Sequence, residues 1–280
     1  MWKLVRAENA IETMVATVRF QEPLSSVVTK RILRELERVT FDANLNNRQA
    51  LQGIQFNVQN NVTAAMTPVA LNGSLFQKTS LVRINNQVVN QLVQQLEFQP
   101  IHLVYTTWMY KSWKQERETI ATLFSKALTA AVQVSAIGGV RLEYVDRFLF
   151  QVEGDGKFSA EGLLNKNSGY ISPQIFDAPD LFHSHTGRFD EVQENFRRLT
   201  QVNVDAQDLV APPHLAGHRS IGVTTAVDDQ YYTSGREFDS DVAPQEILST
   251  FDRLHDEAID LFKNVVDKNF AAHNGLPFDV

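Results

Sequence analysis

The sequence predicts an α+β fold, in which antiparallel sheet segments from two halves of the chain are covered by amphipathic helices. Three helices carry this prediction. They begin near Leu24, Trp113 and Gln245, and each places apolar residues at helical spacing with charged residues on the opposite side. The segments between them alternate apolar and polar residues, which is typical of strands with one buried face.

The first half opens with a strand at Ile11–Phe20, which is rich in β-branched and apolar residues. The helix that follows shows an apolar stripe of Leu24, Val27, Val28, Ile32, Leu36 and Val39. Residues 51–59 alternate well enough for a strand, with Gly53 as a candidate bulge, and residues 101–109 indicate another. Residues 87–98 fit a strand or a helix face equally.

The central segment combines a helix and a strand. From Trp113 onward the apolar positions with helical spacing are Ile120, Phe124, Ala127, Leu128 and Ala131. Gly138 and Gly139 then permit a turn or a bulge. After them, Val140, Leu142 and Tyr144 alternate with Arg141 and Glu143, which predicts a strand with one buried face.

Composition suggests where the halves divide. Residues 151–188 shift toward Gly, Ser, Asn, Pro and Asp, so we expect an N-terminal α+β half at 1–152 and a loop-rich connection at 153–190. A C-terminal half at 191–280 would hold strands near 195–205 and 217–232, separated by Pro212 and Pro213.

The last helix has the longest apolar stripe. It is predicted to begin near Pro244, with Ser240 or Asp241 as its cap, and to end at Gly275 and Pro277. Its stripe is Ile247, Leu248, Phe251, Leu254, Ala258, Leu261, Phe262, Val265 and Val266. Such a face must cover a sheet or a partner.

Charge and composition exclude several classes of protein. The net charge of -7 works against general attraction to phosphate backbones, so nucleic-acid binding is not favoured. The absence of cysteine excludes disulfides, thiolate metal sites and cysteine nucleophiles. No apolar run reaches the roughly eighteen residues of a membrane span, and the first residues lack the apolar core of a secretory signal. We therefore expect a cytoplasmic protein with no membrane partner.

Two stretches carry a resemblance to a known family. They are Gly-Val-Arg-Leu-Glu-Tyr-Val-Asp-Arg-Phe at 139–148 and Leu-His-Asp-Glu-Ala-Ile-Asp-Leu-Phe at 254–262. The strand at Ile11–Phe20 and the segment at 227–231 fall in the same order as in that family. The chain resembles a sporadically distributed, highly divergent family of uncharacterised bacterial and archaeal proteins of about this length. Glu143, Asp146 and the adjacent pair Asp228 and Asp229 depart from the family pattern. The resemblance implies a fold order and supplies no mechanism.

Two histidines form the main candidate metal site. In an extended segment His183 and His185 point to the same side, a geometry that can hold zinc or another divalent ion, with Asp180 or Asp190 as a third ligand. The alternative is that both histidines are exposed or hydrogen-bonded.

Other candidates have structural alternatives. Asp228 and Asp229 could coordinate a cation with later acidic residues, or supply turn and cap chemistry. His255 is either a general base or a buried residue that ties helix to sheet. Arg141 and Glu143 share a sheet face, where they would pair or line a ligand cleft.

A third candidate surface is aromatic. Tyr105, Trp108, Tyr110 and Trp113 lie near Lys111 and Lys114, and such a set can stack the bases of a single strand or fill a core.

Motifs for phosphate binding, nucleophile elbows or zinc proteases do not occur, so no cofactor is expected. The sequence favours a non-catalytic interaction or assembly subunit of a bacterial multiprotein system, with defence as one setting, that associates with another protein or with itself. The alternatives are a metal-dependent enzyme using His183 and His185, or a single-stranded nucleic-acid binder.

Overall fold

The computed structural model confirms the α+β class. The residues that it describes are 1–6, 9–59, 63–84, 87–151, 158–178, 180–193, 196–210, 215–231, 237 and 243–276. Among these, side chains are described for all except residues 52–59, 63–71, 83, 84, 87 and 193. No helix in this part of the chain combines the length and the apolar character needed to cross a membrane.

Ten strands and four α-helices make up the described fold. The strands are β1 (Trp2–Leu4), β2 (Ile11–Phe20), β3 (Asn47–Gln59), β4 (Thr63–Ile84), β5 (Gln87–Gln99), β6 (His102–Thr107), β7 (Ile137–Phe150), β8 (Phe182–Gln193), β9 (Phe196–Asp208) and β10 (Arg219–Tyr231). The helices are α1 (Ser26–Asp42), α2 (Trp113–Ala131), α3 (Ala243–Val265) and α4 (Lys268–His273), with a 3-10 turn at Pro173–Asp177.

The strands form one antiparallel sheet in the order β3-β4-β5-β6-β2-β7-β10-β9-β8, and β1 pairs with the end of β7. The N-terminal strands therefore lie on one side of β7 and the late strands on the other. Because β7 pairs with β10 along eleven consecutive positions, the sheet is continuous between the two predicted halves.

The long helices lie against one face of the sheet. α1 packs on α2, α2 packs on α3, and α3 lies over β7 and β10. On β7 the covered face carries Leu142, Tyr144 and Phe148, as the alternation predicts, while Arg141 and Glu143 lie on the opposite face. The strand order thus places β7 directly beneath α3.

Gly138 and Gly139 lie inside β7 and do not form a turn. Arg19 stands opposite Gly139 and Phe20 opposite Ile137, so Gly138 is the extra residue of a bulge. A Cβ at Gly139 would meet the backbone oxygen of Asp229 at 2.9 Å. Close approach of the neighbouring strand therefore requires glycine here.

Several element predictions differ from the structure. Residues 87–98, which fitted helix and strand equally, belong to β5. The side chain of Val27 is 76% exposed and takes no part in the buried face of α1. The loop-rich connection at 153–190 contains the start of β8, because its polar residues alternate in an extended edge strand.

The final helix is interrupted. α3 ends at Val265, and the side chain of Asp267 accepts hydrogen bonds from the backbone N–H groups of Asn269 and Phe270 at the start of α4. A capping aspartate therefore divides the helix predicted to run on to Gly275. The predicted caps Ser240 and Asp241, like Pro212 and Pro213, lie outside the described residues.

Candidate functional site

A cavity of about 530 Å³ lies between α3 and the sheet. Its walls come from α3, from residues 110–112 and the first residue of α2, from β7 and β10, and from residues 9–11. This volume is within the range of sites that hold small molecules.

Asp146 is the most unusual residue of the cavity wall. It stands on the covered face of β7, opposite Ile11 of β2 and Val223 of β10, and it is only 5% exposed. Its carboxyl group makes no hydrogen bond or ion pair within the described residues. Burial raises the pKa of Asp146 to about 8, so with no cation beside it the carboxyl group is mostly protonated at neutral pH.

Two further oxygens of the cavity lining lack partners among the described residues. They are Oδ1 of Asn9 and Oγ1 of Thr225, and both are buried. The amide of Asn9 is oriented by the donation of its Nδ2 to the backbone oxygen of Tyr110 at 3.3 Å, which leaves Oδ1 as a free acceptor. Unpartnered buried polar atoms are uncommon in folded proteins, so their presence in one cavity calls for an explanation.

An aromatic wall closes one side of the cavity. The hydroxyl of Tyr144 lies 2.9 Å from Nδ1 of His255, and the ring of Trp113 stacks on the His255 ring with centroids 4.5 Å apart. The Trp113 indole N–H in turn donates to Asp252 at 3.0 Å. Burial lowers the pKa of His255, against the opposite effect of Asp256 and Asp252, so the imidazole is neutral at physiological pH.

Tyr110 and Tyr144 meet edge to face, with ring centroids 5.8 Å apart. Burial raises the pKa of both phenols, and the negative charges of Glu116 and Asp146 raise it further. Both hydroxyls therefore stay protonated over the physiological pH range.

Glu116 is a second buried acid, close to the cavity but not part of its lining. Its Oε2 accepts a hydrogen bond from the hydroxyl of Tyr105 at 2.8 Å, and that hydroxyl also accepts from Gln94. Burial raises the pKa of Glu116, while the Tyr105 hydrogen bond lowers it.

Charged residues also contribute to the cavity lining. Besides Asp146, these are Lys111, Asp256, Asp260 and Lys263. Lys263 lies 3.9 Å from Asp260, so part of its charge is balanced within α3. With Asp146 ionised the lining carries one net negative charge.

A larger depression of about 1140 Å³ lies near the first residues and α4, and it is more open to solvent. Its lining includes Lys3, Arg6 and His273, but none of the buried side-chain atoms without partners among the described residues. We therefore place the candidate site at the smaller cavity.

The histidine pair lies far along the sheet, on the edge strand β8. His183 and His185 point to the same side, with ring centroids 6.2 Å apart. His183 is paired with Asp205, whereas Asp180 accepts from Arg219 and Asp190 from Arg188. No cluster of three or more His, Asp or Glu side chains suited to a metal ion occurs in the described part of the chain, and metal binding at the pair stays a prediction.

The acidic neighbours Asp228 and Asp229 point to opposite faces of β10. Asp228 accepts from Arg19 at 2.6 Å on the open face, and Asp229 accepts from Arg198 at 2.7 Å on the covered face. Each is therefore compensated by its own arginine.

On the open face Arg141 donates to Glu143 at 2.5 Å and to Gln201 at 2.7 Å. These contacts form a surface pair. Of the candidate residues, the structure brings His255 to the cavity, together with Tyr110, Lys111 and Trp113 of the candidate aromatic surface.

Three of the four aromatic residues at 105–113 pack inward. Tyr105 and Tyr110 are buried, and Trp113 is stacked on His255. The stacked face of Trp113 is therefore not open to a nucleic-acid base, while Trp108 is half-buried.

Sequence reasoning missed Asp146, Thr225 and Asn9. The available signal was the position of Asp146 among Val140, Leu142, Tyr144, Phe148 and Phe150, where a carboxylate shares the buried parity of an apolar strand. Thr225 and Asn9 gave no such signal, because their lack of partners is a property of the packed structure.

The structure defines an α+β protein whose antiparallel sheet is covered by helices on one face. An aromatic-lined cavity that contains the buried Asp146 lies under its last long helix. No protein-family model, no curated protein and no solved structure matches the chain. The family resemblance seen in the sequence therefore stays a prediction.

Proposed function

We propose that this chain is a non-catalytic binding subunit, and that the cavity beneath α3 holds a small polar ligand. Within a larger assembly its task is to recognise that ligand and not to convert it. This proposal gives a specific site to the interaction subunit that the sequence favours.

The observation that carries the proposal is the unpartnered carboxyl group of Asp146. A buried polar group without a hydrogen bond costs about 1–3 kcal/mol. Asn9 and Thr225 add two further unpartnered oxygens to the same lining. Ordered water can meet these needs in the empty protein, and a ligand that supplies hydrogen-bond donors would displace it.

The fixed orientation of the side chains around the cavity also supports binding. Asn9, Tyr144, His255 and Trp113 are each held by a hydrogen bond or a stacked ring. A ligand would therefore meet a preorganised wall, which reduces the entropy cost of binding.

The experiment is a thermal-shift screen of small polar compounds with the wild-type protein and Ile259→Trp. Ile259 lines the cavity, and an indole there would occupy part of its volume. A true ligand raises the unfolding temperature of the wild type progressively as the ligand concentration rises above its Kd, and it leaves that of Ile259→Trp unchanged.

The matched control is Arg253→Trp, which adds the same side chain at an exposed position of the same helix. We expect this variant to respond as the wild type does, and the ligand to be recovered chemically unchanged. Equal shifts in Ile259→Trp, or turnover of the ligand, would overturn the proposal.

A further inference from the structure

We propose that the ligand carries a guanidinium or primary ammonium group, and that Asp146 releases a proton to solvent when it pairs with that cation. This inference rests on the proposed function and names the class of ligand that the cavity accepts.

The hydrogen-bonding groups of the cavity favour a donor-rich ligand. The ionised Asp146 carboxylate and the Asn9 Oδ1 are acceptors, and the Thr225 hydroxyl can also accept. A guanidinium group has five N–H donors and no acceptor, and an ammonium group has three. Either cation offers at least as many donors as these groups have unpartnered acceptors to fill, whereas a single neutral hydroxyl offers one donor.

The wall chemistry favours a cation as well. Tyr110, Trp113 and Tyr144 contribute aromatic rings to the lining, and an aromatic lining suits an organic cation better than an anion, because the π system of a ring is electron-rich. Asp256 and Asp260 balance Lys111 and Lys263 among the charged lining residues, so the lining becomes net negative when Asp146 ionises. An anionic ligand would find no ion-pair partner in Asp146.

Proton release follows from the burial of Asp146. Burial keeps the carboxyl group neutral, because no cation within the described residues compensates its charge. A bound cation supplies that charge and stabilises the carboxylate. One proton then leaves Asp146 for solvent, and a charge-assisted ion pair forms between the carboxylate and the ligand.

The proton released on binding does not come from the other titratable groups that face Asp146. Tyr144 on its own strand and Tyr110 before α2 have raised pKa values and stay protonated, while His255 on α3 has a lowered pKa and stays neutral. The remaining charged groups near the cavity are Lys111 and Glu116 on the α2 side and Asp256, Asp260 and Lys263 on α3. Of these, Glu116 also has a raised pKa, so it needs its own control.

The experiment is an NMR titration that follows the Trp113 indole N–H. The probes are butylguanidinium, its neutral isostere butylurea, and the anion pentanoate. Guanidinium stays charged throughout the pH range used. With a carboxyl pKa of about 8, linkage predicts that butylguanidinium binds about 30-fold more tightly near pH 9 than near pH 6.5.

Two variants test whether Asp146 causes the pH dependence of binding. Asp146→Asn keeps the shape of the neutral carboxyl group, and it should lose both the pH dependence and the preference for butylguanidinium over butylurea. Glu116→Gln should keep both, because Glu116 lies outside the lining.

The outcomes separate the two proposals. If butylurea or pentanoate binds as tightly as butylguanidinium near pH 9, or if Asp146→Asn keeps the pH dependence, the cation inference is wrong while a binding cavity stands. If none of the three probes shifts the Trp113 signal at any pH, the cavity does not bind such ligands, and both proposals are overturned.

Discussion

Tyr144 on β7 and His255 on α3 are joined by a hydrogen bond of 2.9 Å, although 111 residues separate them in the sequence. The two residues belong to the two stretches that carry the family resemblance, 139–148 and 254–262. The bond connects the last long helix to the centre of the sheet, and it lies in the wall of the cavity that contains Asp146.

Replacing Tyr144 by Phe should lower the free energy of unfolding by about 1–2 kcal/mol, because Nδ1 of His255 loses its partner in a half-buried position. Urea unfolding of the wild type and the variant measures this difference. The control is Tyr170→Phe, whose hydroxyl makes no hydrogen bond among the described residues and whose loss should change stability little. Equal effects of the two substitutions would contradict a stabilising role for the Tyr144–His255 bond.

Much of the fold could be predicted from the sequence, because in most elements the spacing of apolar residues matches the buried positions. The strand at Ile11–Phe20 and the start of α2 at Trp113 follow directly from period-2 and period-3.6 spacing. Residues 87–98 could not be assigned, since Val89, Leu92, Val93 and Leu96 fit both periods and only pairing with β4 and β6 makes the segment a strand. The end of α3 at Val265 was missed because the apolar spacing continues to Val266, whereas the break comes from Asp267, whose side chain caps α4.

The candidate site was harder to predict than the fold. The sequence singled out His255, yet it favoured His183 and His185, since paired histidines are a local pattern. The cavity arises from strands and a helix that are distant in sequence, and the missing partners of Asp146, Asn9 and Thr225 depend on the packing of all of them. No spacing rule within one segment contains that information.

Asp146 should make stability depend on pH. Its pKa rises from 3.8 in the unfolded chain to about 8 in the folded protein, so the folded state holds a proton that the unfolded state has lost. Its contribution is fully present below about pH 4 and is lost as the pH rises to about 8, by roughly 1.4 kcal/mol per pH unit at most.

The measurement is the unfolding temperature of the wild type and of Asp146→Asn across this pH range. Asparagine cannot titrate, so the unfolding temperature of the variant should rise relative to that of the wild type as the pH increases. The difference should level off above about pH 8. Glu116→Gln serves as a comparison, because Glu116 also has a raised pKa. A constant difference between the wild type and Asp146→Asn would show that Asp146 keeps an ordinary pKa in the folded protein.

Gly139→Ala should destabilise the sheet. The new methyl group would lie 2.9 Å from the backbone oxygen of Asp229 and would also displace the guanidinium of Arg19. Relieving the contact requires the β7 and β10 backbones to separate, which should cost about 1–3 kcal/mol. Gly169→Ala is the control, since an added Cβ there meets no atom within 4 Å. Urea unfolding of both variants checks the prediction, which fails if they are equally stable.

The carboxylate of Asp229, on the covered face of β10, is paired with the guanidinium of Arg198. Asp229 is fully buried and accepts two hydrogen bonds from Arg198, at 2.7 and 3.1 Å, while Arg198 also donates to Glu257 on α3 at 3.0 Å. Arg198 thereby links two strands and a helix near the cavity. Removing it should leave Asp229 as an uncompensated buried charge.

Arg198→Met should therefore lower the free energy of unfolding by about 3–5 kcal/mol, whereas the double variant Arg198→Met with Asp229→Asn should recover part of that loss. The control is Lys166→Met, which removes an ion pair with Glu161 whose side chains are 55% and 54% exposed and should cost at most about 1 kcal/mol. Denaturant unfolding of the wild type, Arg198→Met, Asp229→Asn and the double variant gives the coupling between Arg198 and Asp229, and Lys166→Met is measured beside them. If Arg198→Met costs no more than Lys166→Met, the buried pair does not stabilise the contact between α3 and the sheet, and solvent must reach Asp229.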